Sequence, residues 1–127
     1  MTPVLYVVLP CYNEEEALPG SASKMLEKLN RLKAENKVDE SSKLLFVNDG
    51  SKDKTWDIIS DLHEKHSEIA GLNLSRNRGH QNAVLAGLMK AKEKADVVIS
   101  IDADLQQDIE AIDDMLKKYQ DGCDIVS

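Results

Sequence analysis

Apolar residues along this 127-residue chain change their spacing several times. Val4-Leu5-Tyr6-Val7-Val8-Leu9 is an unbroken β-favouring run that stops at Pro10. Ala22, Met25, Leu26, Leu29 and Leu32 then recur at helical spacing, with Lys and Glu between them. Leu44-Leu45-Phe46-Val47 reads as a second strand, closed by the turn cluster Asn48-Asp49-Gly50-Ser51. Asp53 is placed to cap a helix that carries Trp56, Ile59 and Leu62. Gly71 to Ser75 is a weaker third strand. Gly79 to Ala95 reads as a helix whose small residues Ala83, Ala86, Gly87 and Ala91 suit close packing on a sheet. Asp96 to Ile101 is a fourth strand, and Ile109, Ile112, Met115, Leu116 and Tyr119 form the stripe of another helix. Cys123 to Ser127 begins a fifth strand.

The expected order is therefore β-α-β-α-β-α-β-α-β. Short strands that are apolar on both faces and separated by helices imply an α/β fold, with a mostly parallel sheet covered on both sides. Right-handed crossovers restrict its topology. No repeat, low-complexity segment or interdomain linker interrupts the pattern, and the length suits one domain.

Composition narrows the picture. At 42% hydrophobic and 31% charged, the chain is globular rather than disordered. Aromatics are few (Phe46, Trp56, Tyr6, Tyr12 and Tyr119), so the core must be mainly aliphatic. Sixteen Lys and Arg against 23 Asp and Glu leave a formal net charge of −7, which argues against a nucleic-acid partner. No apolar run approaches the roughly 18 residues of a membrane helix. The N-terminus lacks a basic region followed by a long apolar stretch, so no signal peptide is expected. Cys11 and Cys123 form no disulfide framework and read as reduced thiols. His63, His66 and His80 are not spaced to complete a zinc site with them.

The acidity is uneven. From Asp102 onward there are eight acids (Asp102, Asp104, Asp108, Glu110, Asp113, Asp114, Asp121, Asp124) and two bases (Lys117, Lys118). That stretch holds nearly the whole net charge.

In a parallel α/β sheet, ligands bind beyond the carboxyl ends of the strands. Unusual polar residues follow four of the expected strands. They are Pro10-Cys11-Tyr12-Asn13-Glu14-Glu15-Glu16, Asn48-Asp49-Gly50-Ser51, Ser75-Arg76-Asn77-Arg78-Gly79-His80 and Asp102-Ala103-Asp104-Leu105-Gln106. Four polar loops on one sheet edge make a site. In extended chain, residues two apart point the same way, so Asp102 and Asp104 can face one ligand, and Gln106 shares their parity. Two carboxylates and a carboxamide are hard donors for Mg²⁺ or Mn²⁺, and a diphosphate supplies further oxygens. The other six acids of that stretch read as surface charge.

The remaining loop residues each have two readings. Asp49 either accepts hydrogen bonds from a nucleobase or ribose, or forms an Asx-turn. Tyr12 either stacks on a base or is a half-buried strand-end residue. Glu14 is either a ligand contact or a first-turn acid favoured by the helix dipole. Arg76 and Arg78 either neutralise phosphate or are solvated charges. His80 either faces the site or caps the third helix.

Together these motifs resemble the inverting family 2 glycosyltransferases of the GT-A fold, over nearly the whole chain. The stretches that carry the resemblance are Val8–Glu15, Val47–Thr55, Arg76–Ala83 and Ile101–Gln106. Within that family they look most like the dolichol-phosphate mannose synthase-like enzymes, including the bactoprenol glucosyltransferases.

The resemblance implies a Rossmann-like GT-A sheet, a UDP- or GDP-hexose donor, a divalent metal and a polyprenyl-phosphate acceptor. It assigns Pro10, Tyr12, Glu14 and Asp49 to the nucleoside. It assigns Asp102 and Asp104 to the family's D-x-D and to catalysis, with Gln106 as a further metal ligand. Arg76, His80 and the run Asp102-Ala103-Asp104 complete the expected donor-binding set. Asn48 departs from the acid common at its position, so the nucleobase role is carried to Asp49 alone. Arg78 stands where relatives often have Phe, and no role is carried to it.

Family members continue well beyond this length. Residues 1–127 are therefore expected to be the donor-binding part, with the acceptor half and any membrane helices outside them. The expected location is cytoplasmic, with the parent protein at the cytoplasmic membrane face and attached only through the outlying part. A homo-oligomer is compatible with the sequence. Two rival readings are a glycosyltransferase acting on a saccharide hydroxyl and, from another class, a phosphoacceptor signalling domain. The latter would need an acidic pair after the first strand, where Pro10-Cys11-Tyr12 stands.

Overall fold

The computed structural model describes residues 2–102 and 111–120. Within them the expected alternation is present. The elements are β1 (Leu5–Cys11), α1 (Leu18–Ala34), β2 (Lys43–Asp49), α2 (Thr55–Lys65), β3 (Ile69–Leu74), α3 (His80–Lys92), β4 (Val97–Ser100) and α4 (Ala111–Gln120). The expected fifth strand, Cys123 to Ser127, lies outside the described residues, as does Ile109 of the α4 stripe.

Four parallel strands form one sheet in the order β3-β2-β1-β4. The chain steps outward from β1 to β3, then returns to lay β4 on the other side of β1. Strand order reverses between β1 and β4, and a crevice opens at such a point. Helices cover both faces. Leu5, Val7 and Leu9 of β1, with Leu44 and Phe46 of β2, pack with residues of α1, α2 and α4. Tyr6, Val8, Leu45 and Val47 point the other way, onto Ala83 and Ala91 of α3. Alternate side chains of one strand therefore serve two separate cores, which is why β1 is apolar throughout and buried at every position.

Several boundaries moved, each for a local reason. β1 does not stop at Pro10 but runs to Cys11, with Pro10 opposite Val47. The backbone groups of Val4 and Val8 face β4, and Pro10 shares their parity. Pairing with β4 ends at Val8 and Ser100, so the missing N–H of Pro10 falls where no ladder bond is required. α1 begins at Leu18, a turn before the apolar stripe, because Pro19 suits a first helical turn. β3 is an edge strand with half-covered side chains, which explains its weak apolar signal.

One expected surface charge is not one. Asp113 of α4 lies 2.5 Å from the ammonium of Lys28, a buried α1 residue. A buried ammonium needs such a partner. Among the described residues, no helix is long and apolar enough to cross a membrane.

Candidate active site

The polar loops after β1, β2 and β3 meet at the carboxyl edge of the sheet, together with Asp102 after β4. The register fixes this: Cys11 lies beside Asn48, and Asp49 beside Leu74, so the first three strands end together. An open cleft of about 240 Å³ occupies the switch point. Its lining includes Pro10, Tyr12, Glu14, Asp49, His80 and Asp102, six of the expected residues.

The loop after β1 is held by the loop after β2. Backbone N–H groups of Asn13, Glu14 and Glu15 donate to Ser51 Oγ (2.9 Å), Thr55 Oγ1 (2.9 Å) and Asp53 Oδ2 (3.2 Å). The Lys52 N–H donates back to Asn13 Oδ1 at 2.9 Å. Asn13 has a φ of 52°, a conformation Asn adopts more readily than most residues. These bonds pair backbone donors that helix and sheet leave open, and they hold Tyr12 and Glu14 at the rim.

Asp53 is half-buried at the centre of this latch. Burial acts to raise its pKa, but hydrogen bonds from the Thr55 hydroxyl and from the Thr55 and Glu15 N–H groups outweigh burial and hold it below the usual carboxylate value. It accepts the Thr55 N–H at 2.9 Å, although Lys54 rather than Asp53 occupies the cap position of α2.

The β2 end joins the loop after β3. Asp49 is buried, and its Oδ1 accepts the Arg78 N–H at 2.7 Å. The neighbouring Asn48 Oδ1 accepts the Ser51 N–H, three residues on, at 3.2 Å. The Asn48 amide also donates to Asn73 Oδ1 at 2.8 Å. A carboxylate at position 48 would have to accept from the Asn73 amide instead. Gly50 has φ +67°, and a Cβ there would come within 2.3 Å of the Arg76–Asn77 backbone. Only glycine lets these two loops meet so closely.

The structure bears on two of the alternatives left open by the sequence. Glu14 is not a first-turn acid, because α1 starts at Leu18 and its first turn holds none. His80 does not merely cap. It is the first residue of α3, and its Nε2 lies 3.1 Å from Asp102 Oδ1. Arg76 does not line the cleft; its side chain is exposed while its backbone packs on Gly50. Ala103, Asp104 and Gln106 lie outside the described residues. Among those described, no group of three or more acids, histidines or cysteines forms a cation site.

Cys11, Asn77 and Ala83 also line the cleft without having been singled out for it. Cys11 adjoins Pro10 at the strand end, which was the available signal. Asn77 was overshadowed by its flanking arginines. Ala83 was read as a packing residue and serves both purposes, being fully buried against the sheet.

The sequence model of Glycosyl transferase family 2 matches residues 6–127. A Bacillus subtilis (strain 168) protein named uncharacterized glycosyltransferase YkoT is 50% identical over 124 residues, covering 98% of this chain and 37% of that protein. An Escherichia coli protein named prophage bactoprenol glucosyl transferase homolog is 38% identical over 120 residues, covering 94% of this chain and 37% of its own length. This chain thus spans just over a third of either relative. A solved mannosyltransferase from Pyrobaculum calidifontis, PcManGT, in complex with GDP-Man and Mn²⁺, superposes with a TM-score of 0.57 at 24% identity. It covers 82% of this chain and 28% of that one, and shares the fold.

Proposed function

This chain belongs to glycosyl transferase family 2, and from that premise we propose that it is the donor-binding part of an inverting enzyme. The enzyme moves a hexose from a UDP- or GDP-sugar to a polyprenyl phosphate. The observation that carries the proposal is the switch-point cleft, where residues from four separate chain segments line one cavity. The relative named as a bactoprenol glucosyl transferase homolog supports the lipid-phosphate acceptor. The fold neighbour in complex with GDP-Man and Mn²⁺ supports the donor class and the metal.

In this reading Tyr12, 42% exposed at the rim, stacks on the base. Asp49 accepts from the nucleoside with the carboxylate that also holds Arg78 N–H. Pro10 and Glu14 complete that wall. The α3 N-terminus at His80, which has no side-chain cap among the described residues, turns its positive dipole end to the diphosphate side.

The donor chemistry fits a hard divalent cation: Asp102 is a half-exposed carboxylate on the cleft, and Asp104 and Gln106 would supply the other protein oxygens. When bound, Mg²⁺ or Mn²⁺ supplies positive charge against the departing nucleoside diphosphate. The acceptor phosphate oxygen forms the new bond to the anomeric carbon as the bond to the diphosphate oxygen breaks, and the electron pair leaves with the nucleotide. A phosphate with a second pKa near 6 is already anionic at neutral pH, so no strong general base is required of the protein.

The test is calorimetric titration of UDP- and GDP-hexoses with and without Mn²⁺ into wild type and Asp104→Asn. Metal-dependent binding that Asp104→Asn loses at least about tenfold is expected, in line with loss of a direct ligand. Equal, metal-independent binding by both proteins overturns the proposal.

A further inference from the structure

Asp102 stands at the β4 side of the cleft, and among the described residues its partner is His80. Regular structure delivers both side chains. Ile101, just before Asp102, donates its N–H to Val8 O at 2.9 Å, so the chain is still tied to β1 there. His80 opens α3, whose first turn is closed by Ala83 N–H donating to Gly79 O at 3.0 Å. α3 is itself set close to the sheet by Gly87, where a Cβ would lie 2.4 Å from Val8 Cγ1.

The pair is a poor stability device. His80 and Asp102 are 59% and 39% exposed, and such surface pairs contribute little to folding. Yet both line the cleft. The contact also uses one particular carboxylate oxygen, Oδ1, which leaves Oδ2 to meet a ligand. Carboxylates that hold metals are themselves commonly held by a hydrogen-bonded second group, which fixes their orientation.

We propose that His80 is a positioning residue for cation binding: its Nε2, 3.1 Å from Asp102 Oδ1, holds that oxygen and aims Oδ2 at a divalent ion in the cleft. This rests on the donor-site reading above and gives His80, expected in the donor-binding set but not among the metal ligands, a role at the metal.

Mn²⁺ titrations followed by water-proton relaxation, alone and with saturating UDP or GDP, test this on the full chain. The proteins are wild type, His80→Ala, His80→Gln and Asp102→Asn. His80→Ala is expected to weaken Mn²⁺ about 10- to 100-fold, the usual cost of losing such a support. His80→Gln, whose amide places an N–H at similar reach, is expected to restore most of the affinity. Asp102→Asn is expected to lose more than His80→Ala. All four should share one denaturation midpoint, which separates positioning from folding.

Equal Mn²⁺ affinity in wild type and His80→Ala overturns this inference while leaving the donor site standing. Tighter binding in His80→Ala also overturns it, by showing that the imidazole competes with the ion. Failure of His80→Gln to restore affinity removes the donated hydrogen bond as the cause. Absence of Mn²⁺ binding in wild type overturns the donor-site reading itself.

Discussion

The two faces of the sheet are built differently. On one, α1, α2 and α4 bury large aliphatic side chains and Phe46 against odd-numbered residues of β1. On the other, among the described residues, α3 covers the sheet, with Ala83, Gly87 and Ala91 spaced four apart on one helical stripe and Leu88 packed beside them. Its outer face leaves Leu85 and Met89 more than half exposed. The thick face holds most of the buried apolar area and so most of the stability. The thin face contributes closeness. Because its contact residues are small, α3 lies against β1 and β2, and its first residues, His80 and Ala83, reach the cleft. One face keeps the domain folded, and the other brings a helix end to the chemistry.

Four substitutions probe that division. Phe46→Ala, in the thick core, is expected to cost about 3–5 kcal/mol by chemical denaturation. If the protein remains folded, nucleotide affinity should change little by comparison. Gly87→Val drives a branched side chain into Val8 and Val47, themselves stiff and β-branched. A loss of about 1–3 kcal/mol is expected. In contrast to Phe46→Ala, the Mn²⁺ affinity read by proton relaxation should fall with it, because α3 is pushed off the sheet and His80 is carried from Asp102. Unchanged Mn²⁺ affinity in Gly87→Val would break the comparison.

Asp53→Asn acts on the loop latch and is expected to cost about 1 kcal/mol at neutral pH. Its pH dependence has a definite sign. The folded-state pKa of Asp53 lies below its unfolded value of about 3.9. Its stabilisation is therefore full above that pH and is lost as pH falls through the lowered value. Denaturation curves of wild type and Asp53→Asn should separate at pH 7 and converge well below pH 4. Smallest of all, Leu85→Ser on the outer face of α3 should stay within about 0.5 kcal/mol. A larger loss would show that the thin face is thicker than its exposure implies.

Much of the fold was legible because periodicity is a local property. The small-residue stripe of α3 and the aliphatic stripe of α4 both carried their buried sides in their spacing, and Ile112 and Leu116 are buried as that spacing requires. Boundaries were less legible. Pro10 reads as a stop in a linear pattern, and its tolerance within β1 depends on where β4 ends its pairing. The candidate site was partly legible. Strand-end position picked out Pro10, Tyr12, Glu14, Asp49, His80 and Asp102. Arg76 was picked by its charge and its place in the loop after the third strand, and neither reports that its backbone packs on Gly50 while its side chain is exposed.

The sequence by itself determined the element order, the parallel sheet and the four polar loops, because each follows from residue type and spacing within about a dozen positions. Tertiary structure alone decided what crosses between those elements. The Asp49–Arg78 bond spans 29 residues, the loop latch 38 to 41, and the Lys28–Asp113 pair 85. The meeting of His80 with Asp102 belongs to the same class. No local pattern encodes a side chain at that distance along the chain. Its position is set by the side of β1 on which β4 lands and by how closely Gly87 lets α3 approach.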